Sequence, residues 1–385
     1  MSFFHGVEVV DVTSGSRPIT TVRSSVIGLI GTADSADASV FPLDTPVLIA
    51  GQDLEKIAAL GTDGTLPSAM AGILASGVGA MVVVIRVAED ADPATQLTNI
   101  IGGVDVNTGI RTGISALLDA QAVVKLTPKI LIVPNFSDEI GVVNALIPVA
   151  NSLKAIVVAE APSTTEADAL TFAANFVSDR VYIVDPRVQV TKDGVETLVA
   201  NSSYVAGHIV RIDHEYGWHY SPSNHVIYGI NGTERAIEYD GTATCRANYL
   251  NENKVAAIIF DDGFRLWGNY SLAADNDKFQ FLSVRRTADM INESIKLAHK
   301  WAVDRGITKT LLEDVVMSVN NYLRELTRQE KILGGKCWAD PAANPASEIE
   351  QGRLVLDFDF TAVYPAQHIQ FRSKLTNEYI EELFR

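Results

Sequence analysis

Five side chains between positions 208 and 225 form the densest group of possible metal ligands in the sequence: His208, His214, Glu215, His219 and His225. Imidazoles and a carboxylate could together hold zinc and polarise a water for hydrolysis. The spacing argues against it. A zinc-hydrolase helix needs two histidines four apart on one face, whereas His214 and His219 stand five apart across Gly217. The neighbouring Trp218 and Tyr220 favour packing, so these read as half-buried or interface histidines in a β-rich connection. A metal-dependent hydrolase using the His208–His225 cluster is the alternative.

Other chemistry is also poorly served. Gly28 and Gly31 are followed by TADSADASVFP, which lacks the further glycines that would cradle a pyrophosphate, and no GxxxxGK[ST] occurs. Gly77 and Gly79 precede an apolar run and read as an entry turn. There is no GxSxG elbow, and Cys245 and Cys337 stand far apart outside any thiolate-activating motif. Asp261 and Asp262 sit at a turn, where aspartate is favoured by local backbone hydrogen bonds. No catalytic residue, metal ligand or cofactor is expected, and the chain does not read as an enzyme.

The elements that surround these residues are clearer. Six apolar runs read as strands: Ser25–Thr32, Val47–Ala50, Met81–Val87, Lys129–Pro134, Ala155–Glu160 and Arg180–Asp185. They alternate with helical segments at Asp53–Leu60, Ser68–Ser76, Gly113–Val124, Asp138–Leu153 and Thr164–Val177, the pattern of a parallel sheet with crossover helices. Because the strands are apolar on successive residues, both faces should be covered. Short polar and aromatic stretches with turn signals run from about Trp218 to Tyr249, and a domain boundary is expected near 245. Beyond it come a strand, Val255–Phe260, and two long helices, Val284–Asp304 and Lys309–Lys331. On the second, Leu312, Val315, Val316, Val319, Leu323 and Leu326 form an apolar face. Arg324, Arg328 and Lys331 fall at i, i+4 and i+7 on the other side.

The expected class is therefore α/β: an outer domain (24–245) with a mostly parallel sheet flanked by helices and a β-rich connection, then an α+β domain (246–363). Arms occupy 1–23 and 364–385. In the arms, Val7, Val9, Val10 and Val12, and His368 to Leu375, read as extended runs with no obvious intrachain partner. Such ends can be satisfied by pairing with other copies.

The net charge of −16 disfavours a protein that tracks nucleic-acid phosphates, although residues 278–336 carry a net +4. No apolar run approaches the roughly 20 residues of a membrane span. MSFFHGVEVVDV lacks the basic and apolar regions of a secretory signal, so cytoplasmic synthesis is expected. No nucleic-acid partner and no direct membrane insertion are expected.

The C-terminal third carries a specific resemblance. LNEN (250–253), DDGFRLWGN (261–269), VRRT (284–287), HKWAVDRGITKT (299–310), Gly352 and FTAVYP (360–365) occur in the order found in contractile tail sheath proteins of myophages and R-type pyocins. FHGVEV, PVLIA (46–50), Asp185-Pro186, Tyr216-Gly217-Trp218 and Pro222-Ser223-Asn224 extend the similarity over nearly the whole chain. Its motif residues here are Asp261, Gly263, Leu266, Trp267, Gly268, Asn269, Arg285 and Arg286. Where the family commonly reads WGNRT, this chain has Tyr270 and Ser271; where it reads FTPVPP, only Pro365 remains.

The resemblance implies a structural subunit of a phage tail or bacteriocin particle, assembled in the host cytoplasm. Copies would form hexameric rings stacked as a six-start helix around a rigid inner tube and contract to drive that tube through the target envelope. It implies arm strands (Val7, Val9, Val10, Val12; His368, Gln370, Arg372) that join neighbouring copies. Arg324, Arg328 and Lys331 would face the inner tail tube protein, and baseplate and tail terminator proteins would be further partners. Another self-assembling shell protein is the remaining non-enzymatic reading.

Overall fold

Strands that are apolar at every position are stable only when helices cover both sides of their sheet. The computed structural model, which describes residues 18–192, 194–377 and 379, has this arrangement. Its strands are β1 (Val26–Thr32), β2 (Val47–Ala50), β3 (Met81–Val87), a small hairpin of β4 (Gly103–Val104) and β5 (Arg111–Thr112), β6 (Ile130–Ile132), β7 (Ile156–Glu160) and β8 (Val181–Asp185). They continue with β9 (Val188–Lys192), β10 (Val195–Val199), β11 (His225–Val226), β12 (Gly232–Thr233), β13 (Val255–Phe260), β14 (Phe264–Trp267), β15 (Ile332–Trp338) and β16 (Asp357–Ala362). The helices are α1 (Leu54–Ala59), α2 (Thr65–Leu74), α3 (Pro93–Ile101), α4 (Ala120–Val123), α5 (Ile140–Leu153), α6 (Glu166–Ala173), α7 (Asn201–Glu215), α8 (Arg246–Glu252), α9 (Leu282–Ala298), α10 (Lys309–Arg328) and α11 (Ala346–Glu350).

Nine strands form one sheet in the order β11-β14-β13-β8-β7-β6-β1-β3-β2. The six from β3 to β13 run parallel, while β2, β14 and β11 are antiparallel to their neighbours. Successive residues of one strand enter opposite cores: Leu131 joins one apolar cluster, and Ile130 and Ile132 join the other. Helices α5, α6 and α8 serve the first face and α2 and α7 the second. The second layer is closed by glycine, since a Cβ at Gly207 would meet the carbonyl oxygen of Ile73 at 2.6 Å and one at Gly72 would meet Ser203 Oγ at 2.5 Å.

Three expectations are corrected here. Strand β13, expected to open a second domain beyond residue 245, extends the same sheet, because Val255–Ala257 pair in parallel with Ile183–Asp185, and β14 follows it antiparallel. His208, His214 and Glu215, read as part of the β-rich connection, lie instead on helix α7, which ends before it. The single helix expected over Gly113–Val124 is a 3-10 segment, Gly113–Asp119, that turns into α4, the tighter coil keeping Ile114, Ala116 and Leu117 buried.

A separate core forms beyond the sheet. Met290 and Ile291 of α9 pack with Val319, Tyr322, Leu323 and Leu326 of α10, with Ile332 and Cys337 of β15, and with Trp218. Thr308 caps α10 by accepting from the Leu311 N–H at 3.2 Å. Strands β15 and β16 pair antiparallel as a two-stranded sheet.

At the carboxyl end of β7, Glu160 is fully buried. It accepts from the Ser202 hydroxyl at 2.5 Å and from the Asn135 N–H at 3.2 Å. Burial outweighs these donors and pushes its carboxyl up to about 7. The folded chain therefore holds a proton that the unfolded chain loses above the ordinary carboxylate range, and this group's contribution to stability falls as pH rises from about 4.5 to 7. Glu160→Gln should be more stable than the native chain by about 3 kcal/mol at pH 8 and by little at pH 4.5, read as the difference between paired urea-unfolding curves.

Candidate functional site

Helix α9 is built with two unlike faces. Met290 and Ile291 face the apolar core against α10, while Arg285, Arg286, Asp289 and Glu293 face the sheet. Three of their partners, Lys129, Asp179 and Arg180, sit just before strands begin. Arg180, ahead of β8, donates to Asp289 through Nη1 at 2.6 Å and Nη2 at 3.0 Å, and Arg285 donates to Asp289 at 2.9 Å and to Asp179 at 3.0 Å. Arg286 clamps Asp213 of α7 with both terminal nitrogens, at 2.8 and 2.5 Å. Lys129, ahead of β6, pairs with Glu293 and donates to the Leu153 carbonyl at 2.7 Å. Arg180, Asp289 and Arg286 are all at least 95% buried. Burial lowers the Lys129 ammonium below the usual lysine range, with Glu293 opposing it. The result is an ionic seam across the amino-terminal ends of the strands.

The first described residues join this seam. Ser24 and Ser25 both donate to Asp213 Oδ2 at 2.9 Å. The Val22 N–H donates to Ser294 Oγ of α9 at 3.0 Å, and Thr21 Oγ1 lies 2.9 Å from the Tyr322 hydroxyl of α10. Ile19 and Val22 pack on the α9–α10 core. At the other end, Phe281 precedes α9 and packs at a tilt on Tyr270 (4.9 Å between ring centroids) and edge-on against Tyr364 (6.0 Å), where the chain leaves β16.

The motif residues divide between this seam and one hairpin. Arg285 and Arg286 are the seam. Asp261 and Gly263 form the exposed β13–β14 turn, with Gly263 at φ 119°. Leu266 is fully buried, Trp267 packs on Tyr239 at 4.4 Å, and Asn269 accepts from the Ser221 hydroxyl. Gly268 has φ 148°, and a Cβ there would approach Asn251 Oδ1 to 2.5 Å and Ala256 Cα to 2.8 Å. Its carbonyl accepts from Tyr182 Oη at 2.7 Å. Both glycines need the left-handed backbone region.

Arg324 and Arg328 lie exposed on α10, Arg324 donating to Asn321 and Arg328 paired with Glu325 through Nε at 2.8 Å. That pair holds the Glu325 carboxyl down at about 2. Lys331 is not on the helix: α10 ends at Arg328 and Glu330 turns to φ 57°. Its ammonium instead lies 5.8 Å from the Trp218 ring. His368, Gln370 and Arg372 are exposed and unpaired with any strand among the described residues. Val7, Val9, Val10 and Val12 lie outside the described residues.

The histidines do not assemble a metal centre. Buried His208 donates from Nε2 to the Pro222 carbonyl at 2.8 Å and accepts from Arg211 at Nδ1 (3.1 Å), and burial lowers its pKa to about 3, so it stays neutral. His214 is exposed, and among the described residues no three His, Cys, Asp or Glu side chains come together to hold a metal. No described helix is long and apolar enough to cross a membrane. Of the functional features, the seam's acidic half escapes sequence reading: Asp179, Asp213 and Asp289 have no local motif.

Comparison with known proteins matches three family models: "Tail sheath protein Gp18 domain III N-terminal region" over residues 24–87, "Phage tail sheath protein central domain" over 109–272 and "Phage tail sheath C-terminal domain" over 274–376. A prophage-encoded tail sheath relative from Pseudomonas aeruginosa (strain UCBPP-PA14) is 39% identical, with 100% of this chain and 99% of the relative covered. The tail sheath protein of Escherichia phage P2 is 34% identical over 99% and 98%. Among solved structures, the contracted helical sheath of the anti-feeding prophage has the same fold at TM-score 0.73 and 20% identity, covering 96% of this chain and 99% of that one.

Removing one member of the seam strands charges that water cannot reach. Asp289→Ala, which orphans Arg180 and part of Arg285, should destabilise the unassembled subunit by about 3–5 kcal/mol in urea unfolding. Arg328→Ala, at an exposed pair, should leave the unfolding midpoint where it was.

Proposed function

The chain belongs to the phage tail sheath family as a structural subunit of a contractile sheath, and from that premise we propose how its parts divide the work. Copies form rings of six, stacked as a six-start helix around an inner tail tube protein, in the cytoplasm of the host bacterium. Baseplate and tail terminator proteins close the two ends. The arms, 1–23 and 364–385, connect copies, and the two bodies between them meet after β14 instead of near residue 245.

One observation carries this reading: among the described residues β15–β16 is a sheet of two strands with two open edges, and the C-terminal run His368–Arg372 pairs with no strand, while the run around Val7 has no obvious intrachain partner in the sequence. Open edges are normally avoided in monomers. If each copy donates Val7–Val12 and His368–Arg372 and accepts one strand on each edge, both edges of the β15–β16 sheet and both arms gain a strand partner. The exposed basic residues Arg324 and Arg328 of α10 face the tube and offer charge contacts that release during sliding. Lys331, packed near Trp218, contributes less than the spacing implies.

Contraction then repacks rigid bodies between two sets of interfaces while the arms keep the mesh continuous. The extended state is trapped by tube and baseplate, and the energy comes from assembly.

Deleting residues 1–17 or 367–385 should leave a folded subunit by circular dichroism but abolish long tubes in negative stain; tubes of native length from either deletion would refute the arm exchange. Reversing Arg324 and Arg328 to Glu should weaken co-assembly on the tube, by roughly tenfold at low salt and less as salt rises, without impairing tube-free sheath polymers.

A further inference from the structure

The turn that follows β14 opens onto a cleft of about 690 Å³, a volume within the range of small-molecule sites. Residues 267–270 form one wall, α8 and the chain leading into it form the second, and residues 366–369 close a third side. Trp267 and Tyr239 pack at 53° with ring centroids 4.4 Å apart. Both are half-buried, so part of each ring stays open to solvent. Tyr270 adds a third ring, tilted against Phe281.

Neutral hydrogen-bonding groups with capacity to spare stand around these rings. The Asn224 side chain makes no hydrogen bond among the described residues. Asn248 spends its Nδ2 on the Ala243 carbonyl at 2.7 Å and keeps Oδ1 as an acceptor, while Asn269 spends Oδ1 on the Ser221 hydroxyl and keeps Nδ2 as a donor. Ser223 Oγ accepts from the Gly268 N–H at 3.0 Å and keeps its own proton to donate. The Trp267 indole N–H is also unpartnered among the described residues. No Lys, Arg, Asp or Glu lines the cleft.

This combination selects by chemistry. An apolar occupant would cover the amides without giving them partners, and a phosphate or carboxylate would find no Lys or Arg. A pyranose satisfies both halves: its C–H face lies on aromatic rings, and each hydroxyl on its rim donates and accepts, as a carboxamide does. We propose that the cleft binds an uncharged pyranose sugar, its ring against Trp267 and Tyr239 and its hydroxyls bonded to Asn224, Asn248 and Asn269. With no carboxylate pair to supply an acid and a base, the sugar is held and not hydrolysed. Residues 366–369 make none of these contacts, so the assignment does not depend on where the C-terminal arm goes.

The test uses the unassembled full-length chain and two probes, methyl β-glucopyranoside and N-acetylglucosamine, in saturation-transfer NMR titrations. Ligands of about 13 to 15 heavy atoms at ordinary efficiency should saturate with a Kd of about 1 mM. Asn224→Ala and Asn248→Ala, both at exposed positions, should each weaken binding by roughly fivefold with circular dichroism unchanged. Trp267→Phe, which keeps a ring against Tyr239, should weaken it by a similar factor. Tyr249→Ala, exposed on α8 outside the cleft, should change nothing. Glucose 6-phosphate should bind no more tightly than methyl β-glucopyranoside. Saturable transfer from neither sugar below about 20 mM, affinities unmoved in the asparagine variants, or a preference for the phosphorylated sugar would overturn the proposal.

Discussion

A charge that leaves water must find its counter-charge, and the inner face of α9 obeys this four times within nine residues. Arg285, Arg286, Asp289 and Glu293 each meet an opposite charge from elsewhere in the chain or the same helix. Apolar packing tolerates small slides, but bidentate guanidinium–carboxylate pairs do not. The seam therefore fixes α9 in one position across the starts of β1, β6 and β8. Everything beyond it, α10 and the two-stranded sheet included, takes its place relative to the large sheet from that constraint.

Surfaces are sorted accordingly. The nine-stranded sheet is covered on both faces and ends in short strands, four residues in β2 and two in β11, which offer little to a foreign strand. The β15–β16 sheet differs: among the described residues both its edges are unpaired, and its two strands carry charges of opposite sign.

The strands of the large sheet are legible because burial on both faces leaves an unmistakable apolar run, and five of the six expected strands fall within one residue of the observed bounds at both ends. Helix α7 was not, since it is buried all round. Asn201, Ser202, Ser203, His208 and Arg211 point inward with the apolar residues, so no amphipathic period appears. By contrast α3 announces itself with Pro93 at its first turn and Asp92 ahead of it, accepting from the Thr95 N–H, and goes unread because its period is short. Arg285 and Arg286 stood out in VRRT, but Asp179 and Asp213 lie far away in sequence, and only folding shows what the arginines hold. Lys331 was misjudged because helical spacing was extended past the residue where the helix stops.

The segment that leads into β1 and the one that leaves β16 meet the same helix, the first at Ser294 and the second at the residue just ahead of it. The leading segment is fastened to Ser294 and, through Asp213, to Arg286, and the trailing segment touches Phe281 just ahead of the first turn. A pull between these two segments passes along roughly 20 Å of hydrogen-bonded helix, at 1.5 Å per residue. The helix lies between them as a tie-rod, fastened to the starts of the large sheet's strands through Lys129 and Arg180.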